Sequence, residues 1–79
     1  MDNKNDLYLE YEGKVIQKLP KGYFKVEVMK GVVKLITASI ANRLKATNRR
    51  WKKIAEGDKV KVKIPLGDLT KGRIIELLD

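Results

Sequence analysis

The stretch that decides the fold reads YFKVEVMKGVVKLITA and runs from Tyr23 to Ala38. Apolar and polar residues alternate from Phe24 to Val28, which indicates a strand with one buried face. Lys30-Gly31 follows closely and predicts a tight hairpin into a third strand, from Val32 to Ala38. These residues therefore predict an antiparallel β-hairpin.

A long first strand is predicted before this hairpin. Apolar residues occupy most odd-numbered positions there, namely Leu7, Leu9, Tyr11, Val15 and Leu19, and Gly13 inside the run predicts a bulge or bend. Pro20 and Gly22 predict the turn into the second strand, because proline fixes its φ angle and glycine closes the turn. The polar residues 1–6 are expected to form a disordered tail, so the folded domain is predicted to span residues 7–79.

A short helix and two more strands are predicted after the hairpin. Ser39 would cap the helix, with Ile40 and Leu44 on its apolar face at a spacing of one helical turn. Alternation of lysine with valine or isoleucine predicts a strand from Lys59 to Ile64. The last strand is predicted from Arg73 to about Leu77.

The predicted order of elements is β-β-β-α-β-β. Five short alternating strands in a chain of 79 residues without cysteine indicate an all-β fold that closes on itself. We predict a small five-stranded Greek-key barrel of the oligonucleotide-binding (OB) type, with a short helix between strands three and four. In such barrels, strands two and three and the loops at one mouth form the binding face.

Positive charge is concentrated in one part of the chain. The formal net charge is +8. The segment from Val28 to Ala55 contains eight lysines and arginines and no acidic residue, whereas the rest has ten basic and ten acidic residues. A field of one sign attracts a polyanion and releases its counterions on contact. The distribution therefore favours an anionic partner over a merely solvated surface.

The only tryptophan, Trp51, lies inside this basic segment, between Arg49-Arg50 and Lys52-Lys53. One interpretation is a ring on which bases stack while the cations contact phosphates. The other is a ring that packs into the core among solvated cations. The polar neighbours favour partial exposure with one ring face available to a base, and the residue types leave both roles open.

Several classes of function are disfavoured by what the sequence lacks. Without histidine or cysteine, neither a zinc site nor a disulfide is expected, and no cofactor is predicted. No serine has a plausible base and no glycine-rich phosphate loop is present, so we expect a protein that is not an enzyme. No apolar run reaches membrane-spanning length and the first residues do not resemble a signal peptide, so we expect a soluble protein of a reducing compartment.

Several motifs lie in an order that matches a known family. In chain order they are Glu12-Gly13-Lys14-Val15, Leu19-Pro20 with the run from Phe24 to Val28, Gly31, the run from Gly57 to Val62 and, as the most specific, Asp68-Leu69-Thr70-Lys71-Gly72-Arg73-Ile74. In these motifs, from about Glu10 to Ile75, the chain resembles bacterial translation initiation factor one. The resemblance implies the five-stranded barrel that the alternation pattern predicts.

Three departures from the family pattern affect the expected site. The stretch from Ser39 to Arg50 is longer than the Ser-Gly-Lys-Met-Arg-like segment of the family, which enlarges the presumed RNA-contacting element. Leu66-Gly67-Asp68 stands where the family favours Pro-Tyr-Asp, so the tyrosine is lost. The chain ends in Glu76-Leu77-Leu78-Asp79, whereas family members commonly end in basic residues.

The resemblance implies a factor that binds RNA at the decoding site of the small ribosomal subunit and occludes it during initiation. Implied partners are the small subunit with its rRNA and initiation factors two and three. The protein is expected to be a monomer when free, without a membrane partner, in the bacterial cytoplasm or an organelle. The residues expected to contact RNA are Lys34, Arg43, Lys45, Arg49, Arg50, Trp51, Lys52, Lys53, Lys71 and Arg73.

Two other functions fit the same charge pattern. One is a general RNA-binding or RNA-chaperone barrel of the cold-shock type, but such barrels carry aromatic clusters on strands two and three. This chain offers Tyr23 and Phe24 there, on opposite faces, so one of them is expected to be buried. The other function is a protein-interaction barrel for an acidic partner.

Overall fold

A computed structural model describes residues 7–30, 32–47 and 49–78. The side chains of Met29, Lys30, Val32, Val33 and Arg49 lie outside the description. The predicted tail at residues 1–6 and the glycine of the predicted hairpin turn, Gly31, also fall outside the described residues.

Five strands form a closed barrel in the order β1-β2-β3-β5-β4, which confirms the predicted all-β architecture. All neighbouring strands are antiparallel except β3 and β5, which pair in parallel. A helix α1 and a 3-10 helix connect β3 to β4, and a 3-10 turn at Pro20–Gly22 connects β1 to β2. The bounds are β1 Tyr8–Leu19, β2 Tyr23–Lys30, β3 Val32–Ile40, α1 Asn42–Thr47, 3-10 helix Arg49–Lys53, β4 Lys59–Pro65 and β5 Lys71–Leu77.

The long strand β1 belongs to both sides of the barrel, and Gly13 is where it changes partner. Gly13 pairs with Val28 of β2 and also with Val60 of β4. A β-carbon at Gly13 would lie 2.6 Å from Cγ1 of the buried Val26, so only glycine permits this approach. Of the bulge or bend predicted at Gly13, the bulge is misplaced, because the register shift falls between Val15 and Gln17, around Ile16.

The predicted start of the helix is wrong by a few residues. Ser39 and Ile40 extend β3 beyond Ala38 and pair with Arg73 and Ile74 of β5. Ser39 therefore does not cap a helix, because its backbone completes a parallel ladder whose partner strand is distant in sequence. β5 likewise begins at Lys71, earlier than predicted, because it pairs there with Thr37.

The core fills the barrel from alternating positions of all five strands. Phe24, Val26 and Val28 point inward, and Tyr23 points outward, as predicted. Leu7 is 59% exposed, contrary to its predicted inward position, because it precedes the first paired residue of β1. No helix within the described residues is long and apolar enough to cross a membrane. The buried apolar residues are Val15, Phe24, Val26, Val28, Ile36, Ala38, Ile40, Leu44, Ile54, Val60, Val62, Ile64 and Ile74.

The predicted turn before β4 is confirmed and is tied to β1. Gly57 adopts a φ of 96°, and its N–H donates to the carbonyl of Val15 at 2.7 Å. The Asp58 carboxylate accepts a hydrogen bond from the Ala55 N–H at 2.9 Å. The turn thereby fixes where the basic segment returns to the barrel.

We expect Gly13→Ala to destabilise the fold by about 1–3 kcal/mol, because the added methyl group overpacks a closed contact. Gly67→Ala is the matched control, since nothing lies within 4 Å of a β-carbon there, and it should change stability by less than about 1 kcal/mol. Denaturant unfolding of both variants measures the difference. Equal free energies of unfolding would contradict the close approach at Gly13.

Candidate nucleic-acid interface

A basic surface is built by α1 and the 3-10 helix, and we call it the basic cap. It is defined by the exposed side chains of Arg43, Lys45, Arg50, Lys52 and Lys53. The side chain of Arg49, which was predicted to belong to the same surface, lies outside the description.

The helix α1 is short and depends on its buried side chain. Its first turn begins at Ala41, whose carbonyl accepts the N–H groups of Leu44 and Lys45 at 3.0 and 3.1 Å. Its last turn closes where the Thr47 hydroxyl donates to the Arg43 carbonyl at 2.9 Å. Isolated helices of this length are unstable in water, so the burial of Leu44 in the core is what holds α1 in place.

Trp51 is half-buried and packs its ring against the core, which confirms the predicted partial exposure. The Nζ atoms of Lys45 and Lys52 lie 5.3 and 5.8 Å from the ring centroid. These are cation–π distances, so the ring joins α1 to the 3-10 helix while it anchors both to the barrel. Trp51 therefore holds the basic cap together, and base stacking on its exposed part stays a prediction.

The cations of the basic cap are exposed to solvent. Arg43, Lys45, Lys52 and Lys53 form no ion pair within the described part of the chain. An ion pair does join Lys61 Nζ and Glu76 Oε1, at 3.8 Å, on the paired strands β4 and β5. Arg43 and Lys53 also make no ring contact within the described residues, so they can meet a phosphate without first breaking an internal contact.

Lys71 and Arg73 lie on a different surface, a groove of about 680 Å³ on the outside of the barrel. No described residue of α1 or of the 3-10 helix lines it. We call it the barrel groove; its lining residues are Tyr8, Tyr23, Thr37, Ser39, Lys63, Pro65, Lys71, Gly72 and Arg73.

The sequence prediction of the site missed Tyr8 and Lys63. Tyr8 is 40% exposed, and the Nζ atom of Lys63 lies 3.9 Å from the centroid of its ring. The even-numbered position of Tyr8 in β1 predicts an outward side chain. Its closeness to β5 was not predictable, because it depends on β4, which pairs with both β1 and β5. Lys34, which was predicted to contact RNA, is exposed but belongs neither to this groove nor to the basic cap. It precedes Thr37, where the pairing of β3 with β5 begins.

The loop before β5 positions Lys71 through Asp68. The Asp68 carboxylate accepts the Thr70 hydroxyl at 2.6 Å and the Thr70 N–H at 3.0 Å. The Thr70 carbonyl then accepts the Thr37 N–H at 3.0 Å, which attaches this loop to β3. The hydrogen bond from the Thr70 hydroxyl, followed by the one from its N–H group, holds the pKa of Asp68 below its usual range. Desolvation opposes this shift, and the charge of Lys71 adds to it.

Comparison with solved structures shows a similarity over nearly the whole chain. The chain is similar to the solution structure of translation initiation factor one from the Wolbachia endosymbiont strain TRS of Brugia malayi, with a TM-score of 0.69 and 32% sequence identity. The match covers 99% of this chain and 86% of that one. No protein-family model matches the chain.

We expect iodide to quench Trp51 emission more strongly than a neutral quencher does, because the two lysines over the ring concentrate anions there. Lys45→Gln with Lys52→Gln should reduce iodide quenching and leave acrylamide quenching nearly unchanged. Lys14→Gln with Lys18→Gln removes the same charge from exposed positions on β1 and is the control. Equal iodide quenching in both double variants would contradict the placement of the lysines at the ring.

Asp68→Asn should reduce stability at neutral pH, because Thr70 loses a charged acceptor. The folded-state pKa of Asp68 lies below the ordinary value of 3.8, so its stabilising contribution is complete above that value and is lost as the pH falls through the lowered pKa. The difference in melting temperature between the parent and the variant should therefore shrink below pH 3.8. A difference that stays constant into more acidic solution would contradict this assignment.

Proposed function

The chain belongs to the family of translation initiation factor one and has a role in translation initiation, and from this premise we propose that it occludes the decoding site of the small ribosomal subunit by binding RNA there. The observation that carries the proposal is the basic cap, a fixed group of exposed cations on a small closed barrel.

The proposed mechanism is steric: the protein occupies the decoding site and catalyses no reaction there. Phosphates of the rRNA meet Arg43, Lys45 and Lys53, with Arg50 and Lys52 close by in the same surface. Because Leu44, Ile54 and Trp51 fix the basic cap to the core, binding costs little ordering of the protein. The barrel behind the basic cap then fills the site and excludes a competing ligand.

The proposed partners follow from the same role. They are the small subunit with its rRNA and, on the subunit, initiation factors two and three. The free protein acts as a monomer in the compartment that contains those ribosomes. No membrane partner and no cofactor enter the proposal.

A second candidate function is the general RNA-binding barrel of the cold-shock type. One observation favours it, since Tyr8 joins Tyr23 in the barrel groove and supplies the second exposed aromatic ring that the strand pattern lacked. An initiation factor binds isolated small subunits far more tightly than free single strands, whereas a cold-shock-type barrel shows the reverse preference. Measuring both affinities under the same conditions separates the two functions.

We expect binding to isolated small subunits to weaken strongly with salt. With about five phosphate contacts, the slope of log affinity against log salt concentration is about −3.5, at roughly 0.7 per contact. Affinity should then fall roughly a hundredfold between about 50 and 200 mM salt. Removing two contacts, with Arg43→Gln and Lys53→Gln, should make the slope less negative by about 1.4.

The control for this experiment is the variant Lys14→Gln with Lys18→Gln, which has the same net charge but an intact basic cap. It should keep a slope close to that of the parent. If the two double variants have equal slopes, the attraction depends on total charge and the basic cap is not the contact surface. An affinity that does not respond to salt would overturn the phosphate model altogether.

A further inference from the structure

We propose that the first part of β3, centred on Leu35, accepts an extended acidic peptide of a partner protein as an additional strand. We call this part of β3, residues 32–36, the open edge. The inference does not depend on the decoding-site proposal, because none of the side chains that define the basic cap lies on β3.

The strand pairings leave the open edge without a neighbour on one side. Toward β2, the strand β3 is paired from Val32 to Ala38. On its other side, the pairing with β5 begins only at Thr37, whose N–H donates to the Thr70 carbonyl at 3.0 Å. The barrel therefore closes over the later part of β3, and within the described residues no strand pairs with the part before Thr37 on that side.

The backbone of Leu35 presents its polar groups at the open edge. In an antiparallel pair, successive residues direct their N–H and C=O groups to alternate sides of the strand. Because the Thr37 N–H points toward β5, the N–H and C=O of Leu35, two residues earlier, point to the same side. Among the residues that the structure describes, no backbone group bonds to Leu35 there.

The hydrogen bonds of β1 lead to the same direction for Leu35. Val15 bonds through its N–H and C=O to the turn before β4, away from β2. The adjacent Lys14 therefore faces β2, where it is paired with Glu27. Glu27 is also opposite Leu35 in the register of β2 and β3, but its backbone groups are directed toward β1. The N–H and C=O of Leu35 are thus left for water or for an added strand.

The side chain of Leu35 gives the open edge an apolar contact. It is 53% exposed and lies on the outer face of the sheet, since the adjacent Ile36 is buried. Leu69, which directly precedes the Thr70 carbonyl at the start of the β3–β5 ladder, is 43% exposed. Added strands gain affinity from main-chain hydrogen bonds and specificity from alternate side chains. A strand with apolar residues at alternate positions can therefore cover Leu35.

Charge decides which strand fits the open edge. Lys34 is exposed next to Leu35 and forms no ion pair within the described part of the chain. The carboxylate opposite Leu35, that of Glu27, is half-buried on β2, and the whole chain carries a net charge of +8. Lysine on a free edge opposes pairing between identical chains. The same charge attracts an acidic strand, so a partner peptide with alternating acidic and apolar residues fits better than a second copy.

A fluorescent octapeptide of alternating glutamate and valine, added at low salt, tests the proposal. Amide hydrogen exchange followed by NMR should slow at Leu35 when the peptide binds, because the N–H gains a partner. The Ile36 N–H faces β2 and serves as the internal control, since the peptide should not change its exchange. An octapeptide of alternating glutamate and glycine has the same charge but low strand propensity, and it should bind at least about 5-fold more weakly.

A second measurement removes the backbone donor itself. A chemically synthesised chain with an N-methyl group on Leu35 cannot donate at the open edge, and it should bind the valine peptide between about 5-fold and 100-fold more weakly. N-methylation of Gly67 is the matched control, because within the described residues its N–H bonds to no backbone carbonyl. Thermal melts of both chains verify that the barrel is intact.

Slower exchange at Leu35, together with weaker binding by the chain methylated there, supports the proposal. Unchanged affinity of that chain, or equal affinity for the two peptides, overturns it, because charge alone would then explain the attraction. Protection of Leu35 that rises with protein concentration in the absence of peptide would assign the open edge to a second copy. Protection already complete in dilute protein would assign it to another part of this chain, and protection by hexauridylate instead of the peptide would assign it to RNA. Each of these three results also overturns the proposal.

Affinity for small subunits keeps this inference apart from the decoding-site proposal. N-methylation of Leu35 should leave that affinity unchanged. Arg43→Gln with Lys53→Gln should weaken it and should keep the preference for the valine peptide over the glycine peptide. If that double variant loses peptide binding while the chain methylated at Leu35 retains it, the basic cap holds the peptide and the open edge is overturned as its site.

Discussion

The parallel pairing of β3 with β5 is the constraint on which the rest of the structure depends. It spans Thr37 to Ile40 on one strand and Lys71 to Ile74 on the other, and it closes the barrel. Without it, the chain would leave two unpaired strand edges and a core open to water. The same pairing determines where the helix α1 begins, because the Ala41 N–H donates to the Ile74 carbonyl directly after the ladder ends. The strand pairing that closes the barrel therefore also positions the basic cap.

The basic cap illustrates how a segment rich in like charges can be ordered. The five cations that define the basic cap repel one another, and neither α1 nor the 3-10 helix is long enough to be stable alone. Three apolar side chains, Leu44, Trp51 and Ile54, pack against or into the core at intervals along the segment. Their burial holds the cations close together before any anion arrives. A polyanion that neutralises this charge relieves the repulsion, which couples the stability of the segment to binding.

The two cationic surfaces present different groups to solvent. The basic cap presents exposed cations around the half-buried ring of Trp51. The barrel groove instead presents the exposed rings of Tyr8 and Tyr23 beside Lys63, Lys71 and Arg73.

The sequence alone determined the number of strands, most of the inward residues and the basic segment, because alternation and charge are local properties of the chain. Phe24, Val26 and Val28 are buried as their spacing predicts, and Gly57 supplies the turn that its position indicates. Tertiary structure decided the rest. Ser39 lies in β3 and pairs with β5, and Gly13 is the residue where β1 contacts both β2 and β4. Tyr8 lines the same groove as Lys71 and Arg73. Each of these outcomes depends on a partner strand distant in the chain, and periodicity within one strand contains no information about the register of another.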